Sequence, residues 1–313
     1  MEFFKTVSKV DFMGVRWTAI SASAFLFVLS LVVLVLRGLN LGVDFTGGTV
    51  IEVGYEHPVD LSSVRTSLGQ GGYVDAMVQN FGTTHDILIR LSPRPGMSTA
   101  ELSEKVLGVL RQSSSENRVE MRRVEFVGPQ VGGELKEAGG LAMLFSTLAI
   151  LVYVAFRFEY RMAVGAIVAM FHDPVMILGF FAATGIEFDL TVLAALLAII
   201  GYSLNDTVVV FDRIRENFGK LRKDTPQEVT NRSVNETLSR TLMTSFATLL
   251  VVIAMFLWGG NVLHGFSLAL IIGIFVGTYS SIFVAAPVAL ALGLNRQVLL
   301  PPKKEEESGG VRP

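Results

Sequence analysis

"IIGYSLNDTVVVFDRIREN" occupies residues 199–217 and closes an apolar run that opens at Leu190. From Leu190 to Phe211 the run is long enough to cross a bilayer, which takes ~20 residues as a helix. Asn205 and Asp206 interrupt it shortly before the charged exit at Asp212 and Arg213. A carboxylate at mid-membrane costs roughly 2.5–3.5 kcal/mol on insertion scales. Residues retained at such a cost face the interior of a helix bundle and mark proton or ion paths. The stretch therefore reads as a membrane helix with an ionisable group inside it.

The rest of the chain agrees with a membrane setting. Of 313 residues 51% are hydrophobic, and the mean hydropathy is +0.53, too apolar for an ordinary soluble domain. A net charge of −2 suggests no nucleic-acid partner. With no cysteine there is no disulfide, thiol nucleophile or thiolate metal site. The histidines, His57, His85, His172 and His264, lack H-x-x-x-H spacing, so no metal site is expected. No P-loop motif occurs, and any work done by the chain draws its energy from elsewhere.

Six apolar stretches meet the length of a membrane span: residues 18–36, 139–156, 162–184, 190–211, 242–258 and 266–294. The expected organisation is a cytoplasmic N-terminal segment (1–17), the first span, a head outside the membrane (37–138), five further spans, and a disordered polar tail (295–313). Basic residues orient it. Lys5, Lys9 and Arg16 precede the first span, Arg157 and Arg161 lie between the second and third, and Arg213, Arg215, Lys220, Arg222, Lys223 and Arg232 lie between the fourth and fifth. The loops at 185–189 and 259–265 carry no Lys or Arg. Both termini are thus expected in the cytoplasm and the head outside. The first span, lacking an A-x-A-like site after it, reads as an uncleaved signal-anchor.

The head is patterned as a small α+β domain. Strands are expected at 49–55, 75–81, 85–91 and 118–128, with helices at 59–70, capped by Asp60, and 98–112, opened by a Ser98/Glu101 capping box. The order β-α-β-β-α-β is the ferredoxin-like arrangement. The fold class is therefore a polytopic α-helical membrane protein with one ferredoxin-like head. No catalytic constellation is apparent in the head, so its expected work is binding.

Four further features stand out. "GVDFTGG" (42–48), with Gly42, Asp44, Gly47 and Gly48, allows either close approach of another backbone or a simple turn from membrane to sheet. "VGPQVGGEL" (127–135), with Gly128 and Pro129, re-enters the membrane by similar chemistry. "HDP" (172–174) falls mid-span, where proline frees a carbonyl; His172 and Asp173 read either as a polar packing joint or as a proton path. Adjacent residues point about 100° apart, so the two are not expected to face one partner. For Asp206 the natural cation is Arg240 in "LSRTLMTS", at the start of the fifth span, and the pair reads as a coupling device or as a static ion pair. Gly273 and Gly277 form a G-x-x-x-G suited to close helix packing.

These motifs, "LGVDFTGG", "VGPQVG", the span-3 "HD", "IGYSLNDTVVVFDRIREN" and "LSRTLMTS", occur in this order around one head and six spans. The chain closely resembles the SecD/SecF family of protein-export membrane proteins, on the SecF side, over nearly its whole length. The resemblance implies half of a resistance-nodulation-division type transporter, paired with SecD in a twelve-span complex. It implies a bacterial inner-membrane location and no enzymatic activity. It also implies assistance to preprotein movement through SecYEG, possible association with YajC, contact with the exported preprotein and with membrane lipid, and no nucleic-acid partner. The coupling ion is the proton, with no other cofactor; Asp206 and Arg240 are the implied proton-coupling pair, with Asn205, His172 and Asp173 near the path. Three rivals are weighed against this: a small-molecule exporter of the same superfamily, which calls for a larger, aromatic-lined head; an intramembrane aspartyl protease built on Asp173 and Asp206; and a passive scaffold for SecD.

Overall fold

The computed structural model describes residues 8–94, 96–114 and 117–299. The chain begins with α1 (Arg16–Arg37), β1 (Asn40–Leu41) and α2 (Val43–Thr46). A head follows: β2 (Gly48–Tyr55), α3 (Leu61–Gln70), β3 (Met77–Phe81), β4 (Thr83–Leu91), α4 (Thr99–Ser113) and β5 (Val119–Val127). Then come α5 (Pro129–Arg157), α6 (Tyr160–Thr184), β6 (Glu187–Phe188), α7 (Leu190–Lys220), α8 (Pro226–Trp258) and α9 (Gly260–Ser280). A π-turn (Ser281–Ala285) carries α9 into α10 (Ala286–Ala291), and α11 (Arg296–Leu299) ends the described chain. Six helical spans, α1, α5, α6, α7, α8 and the Val262–Ala291 rod, are long and apolar enough to cross a membrane.

The head forms as its alternation dictates. Its sheet runs β3-β4-β2-β5 with every neighbouring pair antiparallel, the ferredoxin-like order. One residue in two on β2 and β4 (Ile51, Val53, Ile87, Ile89) meets Leu68 of α3 and Leu102, Val106 and Leu110 of α4 in a closed core. Both helix starts are pinned: the Asp60 carboxylate accepts from the Ser62 amide, and Ser98 and Glu101 cap each other reciprocally.

In the helical part α6, α7 and the α9 rod form the packed centre, whereas α1, α5 and α8 keep broad apolar faces exposed. Glycines set the closest contact. Gly265, Gly273 and Gly277 lie against Val192, Ile199 and Ser203 of α7, where a Cβ on Gly273 would stand 2.3 Å from Ile199 Cδ1. The G-x-x-x-G thus serves packing within the chain.

Several boundaries differ from those expected. α5 starts at Pro129, α7 runs to Lys220 and α8 starts at Pro226, because amphipathic turns continue past the apolar runs. Ile214, Phe218, Val229 and Val234 are buried on one face of these extensions. The other face carries Arg213–Glu216 and Lys220–Glu216 pairs, and Thr225 and Glu228 form a capping box. The sixth span is not one α-helix. Pro287 has no N–H for the Phe283 carbonyl and crowds it, and the chain widens into the π-turn just before it. The tail was expected to be unstructured from 295, yet Asn295 caps the Val298 amide and Leu299 packs on the core. Lys5 and residues beyond Leu299 lie outside the described residues.

Candidate functional site

The two mid-span carboxylates are both buried and both held by hydroxyl groups. Asp206 on α7 accepts from Thr241 Oγ1 of α8 at 2.5 Å and from Ser281 Oγ of the π-turn at 2.8 Å. Asp173 on α6 accepts from Ser280 Oγ at 2.8 Å and, over a still shorter contact, from Ser203 Oγ of α7. Its other oxygen lies 2.9 Å from His172 Nδ1. Around them Tyr202, Ser245 and Thr278 continue the layer, with Ser245 and Thr278 hydroxyls 2.8 Å apart. Ser203 sits one turn before Asp206, so α7 presents a carboxylate and a donor on one face. A single polar layer therefore joins α6, α7, α8 and α9 inside an otherwise apolar bundle.

Two expectations need correction. Asp206 makes no direct ion pair with Arg240 among the described residues, although the Arg240 charge acts on it from a distance. Helical geometry turns the neighbouring Thr241 inward and leaves Arg240 exposed. Arg240 and Asn205 instead line an outward groove of about 620 Å³ with Asp212, Arg213 and Glu236. The second correction concerns His172 and Asp173. Although successive residues on α6, their side chains bend together and contact each other, while the His172 ring stacks on Phe27 of α1 at 6.1 Å between centroids. His172 Nε2 is buried and has no partner. Both carboxylates have their own pair of hydroxyl donors, an arrangement unlike two aspartates sharing one proton across a scissile bond. Among the described residues no three His, Asp or Glu side chains converge as metal ligands.

The glycine motifs lie where the head meets the membrane helices, and they do both things weighed for them. Gly47 has φ +68°, a turn conformation, and a Cβ there would stand 2.8 Å from Pro129 Cα. Gly132 is as tight against the Gly47 amide. Gly48, at φ +130°, lies against the Leu91 carbonyl. Gly128 and Pro129 form the N-cap and first residue of α5. The Asp44 carboxylate accepts from the Leu190 amide at 3.1 Å, so it sits on the N-terminus of α7, the helix that carries Asp206. Beside it β1 pairs in parallel with β6, and Arg90 of β4 reaches Glu187 at 2.5 Å and the Leu41 carbonyl at 2.9 Å. Gly42 is tight against Glu187 and Asp189, the latter the N-cap of α7.

The hydroxyls Ser203, Thr241, Ser280 and Ser281 were not singled out from the sequence. Serine and threonine are common in membrane helices, and only their spacing relative to the two aspartates gives a signal. Ser203 falls at Asp206 minus three and Thr241 beside Arg240.

This geometry defines a polytopic helical membrane protein, with two buried carboxylates in its bundle and one ferredoxin-like head joined to the helix that carries Asp206. The comparisons give the family. The family model "Protein export membrane protein SecD/SecF, C-terminal" matches residues 108–295, and the "SecD/SecF GG Motif" matches residues 32–59. "Protein translocase subunit SecF" of Vibrio alginolyticus is 51% identical over 308 residues, covering 98% of this chain and 97% of that one. The subunit of the same description from Escherichia coli O157:H7 is 46% identical over 298 residues, 95% and 92% of the two chains. The crystal structure of SecDF from Thermus thermophilus, described as a translocon-associated membrane protein, matches with a TM-score of 0.82 and 38% identity over 93% of this chain. SecDF in a super-membrane-facing form matches with a TM-score of 0.69. This chain spans 39% of that SecDF chain. The chain belongs to the SecD/SecF family, as a SecF-type protein translocase subunit.

Proposed function

We propose that this chain works with SecD in a bacterial inner membrane, using the proton gradient to assist late preprotein movement through SecYEG. The N- and C-termini lie in the cytoplasm and the head on the outer side. One observation carries the reading: a carboxylate in the bundle centre, Asp206, whose direct hydrogen-bond partners among the described residues are neutral hydroxyls, on a helix whose other end is capped by the head base. A carboxylate held directly by neutral hydroxyls, with the Arg240 charge acting on it only from a distance, can be neutralised by a proton without stripping a buried cation of its direct partner. A static scaffold would call for a direct Asp–Arg ion pair, and among the described residues the direct partners of Asp206 are Thr241 and Ser281. One charge crossing the membrane potential carries about 2.3 kcal/mol per 100 mV, enough over a few protons to redistribute two conformations strongly. Asn205 of α7 and Arg240 of α8 line the groove beside Asp206, where the Arg240 charge acts on that carboxylate and both side chains are open to the SecD half. The head, moved through α7, acts on the emerging polypeptide, and YajC is a further candidate neighbour.

The test is export of a reporter preprotein into vesicles carrying SecD with either the wild-type chain or Asp206→Asn, with and without an imposed proton gradient. The expected result is an Asp206→Asn variant that assembles with SecD and keeps basal export but loses the gradient-dependent portion. A full gradient response in that variant would remove Asp206 from the coupling path.

A further inference from the structure

Resting on the proton-coupled reading of Asp206, we infer that Ser280 and Ser281 are positioning residues that report the protonation of Asp173 and Asp206 to the backbone of the π-turn. They are neighbours in sequence yet serve different carboxylates: Ser280 Oγ is 2.8 Å from Asp173 Oδ2, and Ser281 Oγ is 2.8 Å from Asp206 Oδ2. Each also has a second acceptor in reach. Ser280 Oγ lies 3.1 Å from the Gly277 carbonyl, and Ser281 Oγ lies 3.1 Å from the Thr278 carbonyl.

A hydroxyl has one proton to donate but can accept as well. While the aspartate is charged it is acceptor-only, and the serine must donate to it. Once the aspartate is protonated it becomes a donor; its proton can go to the serine oxygen, and the serine O–H is freed to turn to the carbonyl one turn back. The hydrogen bond reverses while both partners stay satisfied, with no buried polar atom abandoned. The carbonyls that receive the freed proton belong to the last turn of α9, directly ahead of the π-turn.

That turn is built to respond. A π-turn is a rare, wide segment found mostly as an isolated bulge at functional sites, and this one is wedged between Pro287 and the α9 terminus. Its outer side lies on bare backbone: a Cβ at Gly165 of α6 would stand 2.5 Å from the Ala285 carbonyl oxygen. On the opposite side Gly277 admits Ser203, the second donor to Asp173. The charged and titratable groups acting on this layer are Asp206 from α7, Asp173 and His172 from α6, and Arg240 from α8, whose exposed side chain acts on Asp206 by its charge while the neutral Thr241 beside it donates directly. Because one turn of backbone carries both serines, the protonation states of the two carboxylates are felt in the same place.

The test compares Ser281→Ala, Ser281→Thr, the double variant Ser280→Ala/Ser281→Ala, and Asp206→Asn, each assembled with SecD in vesicles. Alanine preserves helix propensity, and co-purification with SecD reports folding. Gradient-driven export is followed against external pH, and amide exchange across residues 278–286 is followed in the purified complex at acidic and neutral pH. Ser281→Ala is expected to displace the pH midpoint of gradient-driven export by about one unit, the scale of one hydrogen bond to a carboxylate. It is also expected to abolish the pH dependence of exchange at 278–286, and Ser281→Thr is expected to restore both. If the alanine variants keep the wild-type midpoint and exchange pattern while Asp206→Asn loses gradient-driven export, the serines are packing residues and the inference falls while the coupling reading stands. If Asp206→Asn keeps its gradient response, the coupling reading falls and the inference with it.

Discussion

Thr241 shows how much a single hydroxyl decides in the apolar bundle. It donates at 2.5 Å to Asp206 from α8, which among the described residues gives that carboxylate no other hydrogen bond. Thr241→Val keeps the shape and removes the donor, leaving a buried carboxylate one bond short. The expected cost is ~1–3 kcal/mol, measured as a lowered thermal unfolding midpoint of the purified complex. Thr241→Ser is expected to recover most of it. That a carboxylate sat in the membrane was legible from Asp206 alone, since any ionisable residue in such a run stands out against its neighbours. Its true partners were not. Arginine is the cation a reader of sequence reaches for, whereas hydroxyls are too common to be noticed, and the 100° between Arg240 and Thr241 decides which of them faces inward.

Among the elements, the head was the most legible part, because period-two strands and capped helices carry local signals. Asp60, Ser98 and Glu101 cap the helices their positions announced. Helix ends at the membrane were less so: hydropathy finds where a span is apolar, not where the helix stops, and polar faces on 212–220 and 226–241 hid the continuation of α7 and α8. The π-turn left only Pro287 as a trace. At the neck, conformation and space both demand glycine at position 47. Gly47→Ala forces a side chain into φ +68° and into contact with Pro129, and is expected to cost ~1–3 kcal/mol. Limited proteolysis at the α2–β2 junction, faster in the variant than in the wild type, is the measurement.

Across the whole molecule, the head and the helices meet through a small set of partly buried polar contacts, one of which, at Glu187, depends on pH. Glu187 lies in the connection between α6 and α7, on the head side, against Arg90 and Gln79. Burial pushes its carboxyl above the ordinary glutamate range, outweighing the attraction of Arg90. A carboxyl whose folded value lies above its unfolded one lends stability that is complete below the unfolded value and is lost as pH rises through the folded one. Amide protection of β1 and β6 is therefore expected to be greatest in acid and to decline as pH rises through the raised Glu187 value. Glu187→Gln is expected to flatten that decline in a hydrogen-exchange series. The exposed apolar faces of α1, α5 and α8 belong to the same scale: they suit lipid or the helices of a neighbouring chain, and the SecF relatives are named as translocase subunits.

The neck joins the head to the bundle in three places: α1 enters through β1, α5 leaves directly from β5, and α7 is tied by Asp44 and by the β1–β6 pair. A plate resting on three legs neither rocks nor slides without one leg changing height. If α7 is displaced along its axis by a fraction of a helical turn while α1 and α5 stay in place, the plate has one freedom left, to tip about the line between the other two. The interlocked glycines at the foot of α5 leave no side chain to absorb the movement as compression. Under the proposed coupling, a short axial stroke deep in the bundle would be returned at the far end of the head as a longer sideways sweep, in the ratio of the head's height to the spread of its legs.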